Sequence, residues 1–279
     1  MGVRVRRFLW IAGVAAVVLG AWALWWEPAR LVVDAVTLRV PWTVRGPLRV
    51  AVLTDLHVGS PFNGLDKLKR VVETTNQARP DLICLLGDLV IQGVPGGTFV
   101  PPEDIARELS QLQAPLGVVA VLGNHDAWFD HTRVKRALES SRARVVEDTA
   151  IRLDTTSGAL WIAGVSDRMT RSHNLRAALE AITDAETPAL LLTHNPDIFP
   201  DVPPRIALTL AGHTHGGQVN LPVVGRLVVP SVFGARFAAG HIVEDGRHLF
   251  VSTGVGTSIL PVRFRVPPAI SLLTIEPVR

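Results

Sequence analysis

The chain has 279 residues, 48% of them apolar, 19% charged and 6% aromatic, and a formal net charge of +3. That length supports one large core or two modest domains, and even strand and helix spacing after residue 48, with no linker, selects a single domain. The densest basic group, Arg133, Lys135, Arg136, Arg142 and Arg144, has no interleaved aromatics and reads as a solvated helix face, so no nucleic-acid partner is expected. The single cysteine, Cys84, sits mid-strand as a small core residue, which excludes an internal disulfide.

Residues 8–26 carry no charge, and these 19 residues at about 1.5 Å each nearly span a bilayer core of about 30 Å. Arg4, Arg6 and Arg7 precede the run, and Trp25 and Trp26 end it as interfacial anchors would, so residues 1–27 are expected to be a membrane anchor. Two features compete with that reading. Ala21-Trp22-Ala23 resembles a signal-peptidase site, and Arg6-Arg7-Phe8-Leu9 resembles a twin-arginine export string displaced by one residue. Arg30, Arg39 and Arg45 follow the run, but the compact first cluster favours a single-pass protein of the cell membrane with its catalytic domain outside.

Residues 28–47 read as a connection holding an edge strand over 36–40. From residue 48 a pattern repeats: an apolar strand ends in small and polar residues. Residues 49–53 run into Thr54-Asp55-Leu56-His57, residues 82–86 into Gly87-Asp88, and residues 118–122 into Gly123-Asn124-His125-Asp126. A helix ending before Arg79-Pro80 joins the first two strands as a parallel βαβ unit. Residues 93–102 are a Gly/Pro-rich loop, and Pro102-Glu103-Asp104 opens a helix with acidic residues suited to its dipole. Another helix is expected over 132–140.

Short strands follow, one closing on Gly164-Val165-Ser166-Asp167, then a polar loop over 167–174 and a helix through Leu175, Leu179 and Ile182. Residues 189–192 run into Thr193-His194-Asn195-Pro196, and residues 206–210 into Ala211-Gly212-His213-Thr214-His215. Residues 219–229, 241–243, 249–252 and 270–275 read as strands of a second, largely antiparallel sheet, with a turn at Asp245-Gly246. The expected fold is α/β: a four-layer α/β/β/α sandwich of two mixed β-sheets flanked by helices, with one N-terminal transmembrane helix and the catalytic domain over 48–279.

Strands thus deliver Asp, His and Asn side chains to one sheet edge, where α/β proteins keep their chemistry. In an extended chain residues i and i+2 point the same way, so Asp55 with His57, and His213 with His215, are expected to present pairs to one cavity. Imidazole mixed with carboxylate and amide oxygen suits Mn²⁺, Fe or Zn²⁺ better than Ca²⁺ or Mg²⁺. Asp55, His57, Asp88, Asn124, His194, His213 and His215 exceed the needs of one tetrahedral ion, which points to two ions sharing a carboxylate.

Asp55-x-His57, Gly87-Asp88, Gly123-Asn124-His125-Asp126, His194 and Gly212-His213-Thr214-His215, in this order, resemble the calcineurin-like metallophosphoesterases over about residues 48–276. Gly216-Gly217-Gln218, and Gly254-Val255-Gly256-Thr257-Ser258 ahead of Pro261-Val262-Arg263, resemble the bacterial branch with an N-terminal membrane segment. Some of its members act as phosphodiesterases or on UDP-2,3-diacylglucosamine. The resemblance implies hydrolysis of a phosphodiester, phosphomonoester or pyrophosphate bond, possible also in a lipid-linked substrate, by attack of a metal-bridging hydroxide. It implies that Asp55, His57, Asp88 and His215 hold one ion, and that Asp88, Asn124, His194 and His213 hold the second. Mn²⁺ is the expected metal, and a monomer the expected state. His125 would serve the phosphoryl oxygens or the leaving alkoxide, with Asp126 orienting its ring.

Taken singly these residues have bland readings: Asp55 as a loop cap, His194 as a turn histidine. His131, His173, His241 and His248 lack the pattern and read as structural or surface. Arg263 is either a phosphate contact from the late loop or a solvated arginine. The apolar loops a lipid substrate requires are expected around 93–100 or 167–174. Neither a P-loop nor a Gly-x-Ser-x-Gly elbow occurs. Two rivals remain at this level: a metal-binding scaffold of the same fold without catalysis, and a hydrolase using the same metals on a non-phosphorus bond.

Overall fold

Strands buried on both faces explain the unbroken apolar runs of the sequence. In the computed structural model, which describes residues 2–42, 44, 46–155, 158–170 and 173–278, these runs form two six-stranded sheets. Arg45 of the charge balance, and Arg171 and Ser172 of the predicted 167–174 loop, lie outside the described residues.

The first sheet contains β1 (Val32–Val40), β2 (Leu48–Leu53), β3 (Leu82–Leu86), β4 (Val118–Val121), β5 (Arg144–Val145) and β12 (Ala269–Pro277), in the order β1-β12-β2-β3-β4-β5. The second contains β6 (Thr149–Thr155), β7 (Gly158–Gly164), β8 (Ala189–Leu192), β9 (Ile206–Ala211), β10 (Gly240–Glu244) and β11 (Arg247–Val251), in the order β10-β11-β9-β8-β7-β6. Their period-two alternation sorts side chains between layers. Val50, Val52, Cys84 and Val121 face Ile162, Leu190, Leu208 and Phe250 in the core between the sheets. Ala51, Leu53, Ile83 and Leu85 pack outward on α3 (Leu65–Gln77), α4 (Pro102–Leu109) and α5 (Asn124–Ser140) through Leu68, Ile105 and Leu138. On the other side Trp161 and Leu191 meet Ala178 of α6 (Leu175–Glu180) together with Phe199 and Phe237. The layers are therefore α/β/β/α, as expected.

The strand readings need three corrections. Residues 270–275 belong to the first sheet, where β12 pairs parallel with β1 and antiparallel with β2. The second sheet is mixed: β7–β8, β8–β9 and β9–β11 are parallel, and only the β6–β7 and β10–β11 pairs are antiparallel. The crossover through α6 enforces a parallel β7–β8 pair, whereas Asp245 (φ 50°) and Gly246 (φ 73°) form a tight hairpin turn between β10 and β11. Residues 219–229 form no strand; they make isolated bridges, Val219 with Phe264 and Leu221 with Gly225.

Before β1, α1 (Val3–Ala21) has no buried residue and continues through a π-helical turn, Trp22–Trp26, and α2 (Glu27–Ala29). This 27-residue stretch, whose most apolar 18 residues have a mean hydropathy of 2.0, is the one helix among the described residues long and apolar enough to cross a membrane by length and composition. It does not end free. Arg263 N donates to Ala23 O (2.9 Å), Val266 N to Glu27 Oε1 (2.6 Å) and Lys67 Nζ to Pro28 O (2.8 Å).

Leu208, fully buried between the sheets, tests the sandwich core. Leu208→Ala is expected to lower the unfolding free energy by about 2–5 kcal/mol, measured by urea denaturation.

Candidate metal centre

Parallel strands put their carboxyl ends on one edge, so β2, β3 and β4 carry Asp55, Asp88 and Asn124 to the edge where β8 and β9 carry His194 and His213. Close approach is built into the glycines. Gly87 has φ +85°, and a Cβ there would lie 2.2 Å from Gly123 N; a Cβ on Gly212 would lie 2.0 Å from Thr54 Oγ1. The two sheets are tied across this gap by His213 N, which donates to Asp55 Oδ2 at 3.0 Å.

The pairs are not presented by strand alternation. Asp55, His57, Asp88, His213 and His215 have φ of 50°, 36°, 55°, 69° and 50°, all in the left-handed region. Each such non-glycine residue costs about 1–3 kcal/mol, a strain that collects at functional sites. The turns also split one expected pair. Asp55, His57 and His215 form one donor group, while His213 joins Asp88 and His194 in another.

Asp88 connects the two groups. Its Oδ2 lies 3.5 Å from His57 Nε2 and 3.2 Å from His194 Nε2, while Oδ1 accepts from His125 N at 2.8 Å. On one side His57 Nε2 is 3.2 Å from His215 Nε2, which is 3.3 Å from Asp55 Oδ1. On the other, His194 Nε2 is 3.1 Å from Asn124 Oδ1 and 3.2 Å from His213 Nδ1. All seven expected ligand residues are buried in this one cluster.

The ring hydrogens decide what the cluster can hold. His57 Nδ1 faces Val90 O (3.2 Å) and His194 Nδ1 faces Leu86 O (2.7 Å); a carbonyl only accepts, so both Nδ1 atoms donate and each neutral ring turns an Nε2 lone pair inward. Acceptors then converge on acceptors, an arrangement a cation relieves. Burial lowers the His57 and His213 pKa values to about 4 and about 3 and takes His215 well below its ordinary range, keeping these imidazoles in the ligating form. Burial acts the same way on His194, but Asp88, Asp55 and Asp167 outweigh it and push that ring up to about 10, which marks a pocket whose carboxylates favour positive charge at that point. Asp88 is correspondingly lowered, burial being overcome by His194 and His57. The donor set and its charge balance fit divalent metal.

His125 and Asp126 occupy the first turn of α5. The His125 ring stands edge-on to His57, centroids 4.7 Å apart, with Nε2 3.4 Å from Ser258 Oγ and a buried Nδ1 that has no hydrogen-bond partner. Asp126 does not orient that ring, contrary to the expectation. Its carboxylate accepts from the backbone N–H groups of Asp88, Leu89 and Val90 (2.8, 2.8 and 3.3 Å) and of Gly123 (3.1 Å). It braces the turn that carries Asp88. Burial, reinforced by Asp88, pushes the Asp126 carboxyl up to about 7.

Arg263 is neither a phosphate contact nor solvated. Its side chain is fully buried and donates to the carbonyls of Thr253, Gly254, Gly256 and Val266. The cavity beside the cluster, about 910 Å³, is lined by Asp88, Asn124, His125 and His213 and by residues the sequence reading passed over, among them Trp128 and Arg168. Asp167, buried with Oδ1 unpaired and acting on His125 and His194, was also missed. Its signal was present: a carboxylate just beyond a strand end, as at Asp55 and Asp88. Of the histidines read as structural, His131 pairs with Glu147 at 2.9 Å, and His241 stacks on His248.

Sandwich and donor edge together define a metallohydrolase. The sequence pattern of the calcineurin-like phosphoesterases matches residues 48–217, and the chain belongs to that family of metal-dependent phosphoesterases. It is 30% identical over 233 residues to the Bacillus subtilis metallophosphoesterase YkuE, covering 82% of this chain and 79% of that one. The Escherichia coli phosphodiesterase YaeI is 30% identical over 81% of this chain and 82% of its own. A Danio rerio transmembrane protein with metallophosphoesterase domain is 30% identical over 85% of this chain and 55% of its own length.

Removing the brace tests its role. Asp126→Ala leaves buried N–H groups without an acceptor and is expected to cost at least about 1–3 kcal/mol, read by urea denaturation, and to lower metal affinity, read by titration with Mn²⁺.

Proposed function

We propose that the chain hydrolyses a phosphodiester with two divalent ions, Mn²⁺ in preference to Fe or Zn²⁺, one held by Asp55, His57, Asp88 and His215 and one by Asp88, Asn124, His194 and His213. The observation that carries this is the single oxygen of Asp88, within 3.5 Å of His57 Nε2 and 3.2 Å of His194 Nε2, which belong to different donor groups. We assign residues 1–27 to a membrane anchor, 28–47 to the connection and edge strand, and 48–279 to the catalytic domain. Arg4, Arg6 and Arg7 support an orientation with that domain outside the cytoplasm.

Two bound divalent ions supply Lewis acidity at the phosphoryl oxygens and bring the ionisation of water near neutral pH. The protein contributes the geometry. Val90 O and Leu86 O fix the His57 and His194 rings, and His125 N holds one oxygen of Asp88 so that the other faces both groups. Only two of the seven ligands, Asp55 and Asp88, are carboxylates, so two divalent ions would leave the ligand shell positive and attractive to a phosphate. His125, half-buried at the cavity and with Nδ1 unpaired, is placed to donate to a phosphoryl oxygen or to the leaving alkoxide.

The purified protein is expected to bind close to two equivalents of Mn²⁺ by elemental analysis and to hydrolyse bis(p-nitrophenyl) phosphate, with activity lost to chelator and restored by the metal. Asp88→Ala should lose both ions. His125→Ala should keep both and lose about 10²–10⁴-fold in kcat; full activity in that variant would remove its assigned role, and binding of a single ion would remove the dinuclear reading.

A further inference from the structure

Exposed apolar side chains collect around the mouth of the cavity. Beyond β1, the large ones among the described residues that line it are Trp128, Met169, Leu227, Val228, Val232, Ile259 and Leu260; Val223 and Val224 stand exposed on the same 219–232 loop, and only Phe62, Phe99, Val243 and Val278 lie elsewhere. Soluble surfaces rarely concentrate apolar groups in this way. The rim comes mainly from 219–232 and 258–262. The expected loops contribute little: residues 93–100 do not line the cavity, and 167–174 supplies Arg168 and Met169.

The same segments hold the end of the N-terminal helix. Arg263, next to the rim residue Val262, donates its N–H to Ala23 O, and the Trp22 ring meets Phe264 edge-on at 5.8 Å. Phe264 N donates to Gln218 O, and Asn220 N to Phe264 O, each at 2.9 Å, which ties the 219–232 loop to the same point. Glu27, 1% exposed, accepts from Trp22 Nε1 and Val266 N. Helix end, rim and cavity thus form one hydrogen-bonded unit. Trp22, Trp25 and Trp26 mark the level at which a spanning helix leaves the hydrocarbon. Arg30, over the Trp26 ring at 4.7 Å, and exposed Arg265 lie at that level, where lipid phosphates stand. The 219–232 loop carries one charge, Arg226, and its Nε is turned inward to Gly216 O at 2.7 Å.

We propose that this rim enters the bilayer beside α1, and that the cavity takes the hydrocarbon part of a phosphodiester lipid drawn sideways from the same membrane. At about 910 Å³ the cavity lies near the upper end of the roughly 300–1,000 Å³ usual for ligand sites. Leu221, Leu227, Val228, Val232, Ile259 and Leu260 supply an apolar lining, and the same cavity reaches Asp88, Asn124 and His125, where the phosphate would meet His125 and the ions held by the other two. Water adds to phosphorus, the bond from phosphorus to the leaving alcohol breaks, and a phosphomonoester lipid and the alcohol, which takes a proton, are released. The substrate class rests on the phosphodiesterase reading above; the membrane contact does not.

The contact is tested without turnover. Full-length protein carrying Val223→Cys, labelled with an environment-sensitive fluorophore and reconstituted in phosphatidylcholine vesicles, is expected to show blue-shifted emission quenched by spin-labelled lipid. The same label at Ser140→Cys, on the far end of α5, should read as aqueous. The native Cys84 is buried and escapes labelling. Aqueous, unquenched emission from position 223 overturns the proposal whatever the activity. The substrate class is tested by the ratio of turnover on vesicle-borne phosphatidyl-p-nitrophenol to that on soluble bis(p-nitrophenyl) phosphate. Leu227→Glu with Val228→Glu should lower that ratio at least tenfold; an unchanged ratio overturns the lipid assignment, whereas no turnover of either substrate by the unmutated protein, with metal bound, overturns the phosphodiesterase reading instead.

Discussion

One carboxylate oxygen faces two histidines that belong to separate donor groups, and the architecture around the site serves to keep it there. Asp88 Oδ1 is engaged by His125 N, so Oδ2 alone turns to His57 and His194. The turn that carries Asp88 is held in turn by Asp126, through its own N–H and those of the next two residues. A buried carboxylate facing only donors is a stiff support, because every N–H it releases would be left without water. The neighbouring strand end is thus fixed to α5, whose first residue is Asn124.

Much of this was legible because strand ends announce themselves. An apolar run that stops at Gly-Asp, or at Gly-Asn-His-Asp, gives both the strand and the group it presents, and parallel pairing of β2, β3 and β4 then aligns those groups without further instruction. The local turns were not legible. Alternation predicted that His213 and His215 would share a cavity face, but a left-handed backbone at both sends them to different donor groups. Asp126 shows a related limit. It adjoins His125 in sequence, yet in the first turn of a helix its carboxylate reaches back to N–H groups of another strand end. Arg263 shows the limit again: composition marks it as a surface cation, and only the fold reveals carbonyls of its own loop waiting for donors.

Strand 219–229 and the assignment of residues 270–275 failed for a single reason. Apolar residues with β propensity report burial or contact, not the partner that provides it. In 270–275 the partners are β1 and β2, far away in sequence. In 219–229 most of the apolar side chains have no protein partner and stand exposed.

That difference bears on how an N-terminal helix is joined to a catalytic domain. A flexible tether holds an enzyme near a surface while leaving its site free to face any direction. Here the junction is rigid: Glu27 and Pro28 are buried, β1 follows directly and pairs along its full length with β12, and Lys67 caps the Pro28 carbonyl. Burial, with Arg263 and Arg70 nearby, lowers the Lys67 pKa to about 7, so its placement is a cost the fold bears at that junction. Groups of this kind are retained where they fix a geometry, and the geometry fixed is the direction in which the apolar rim and the donor edge face relative to α1.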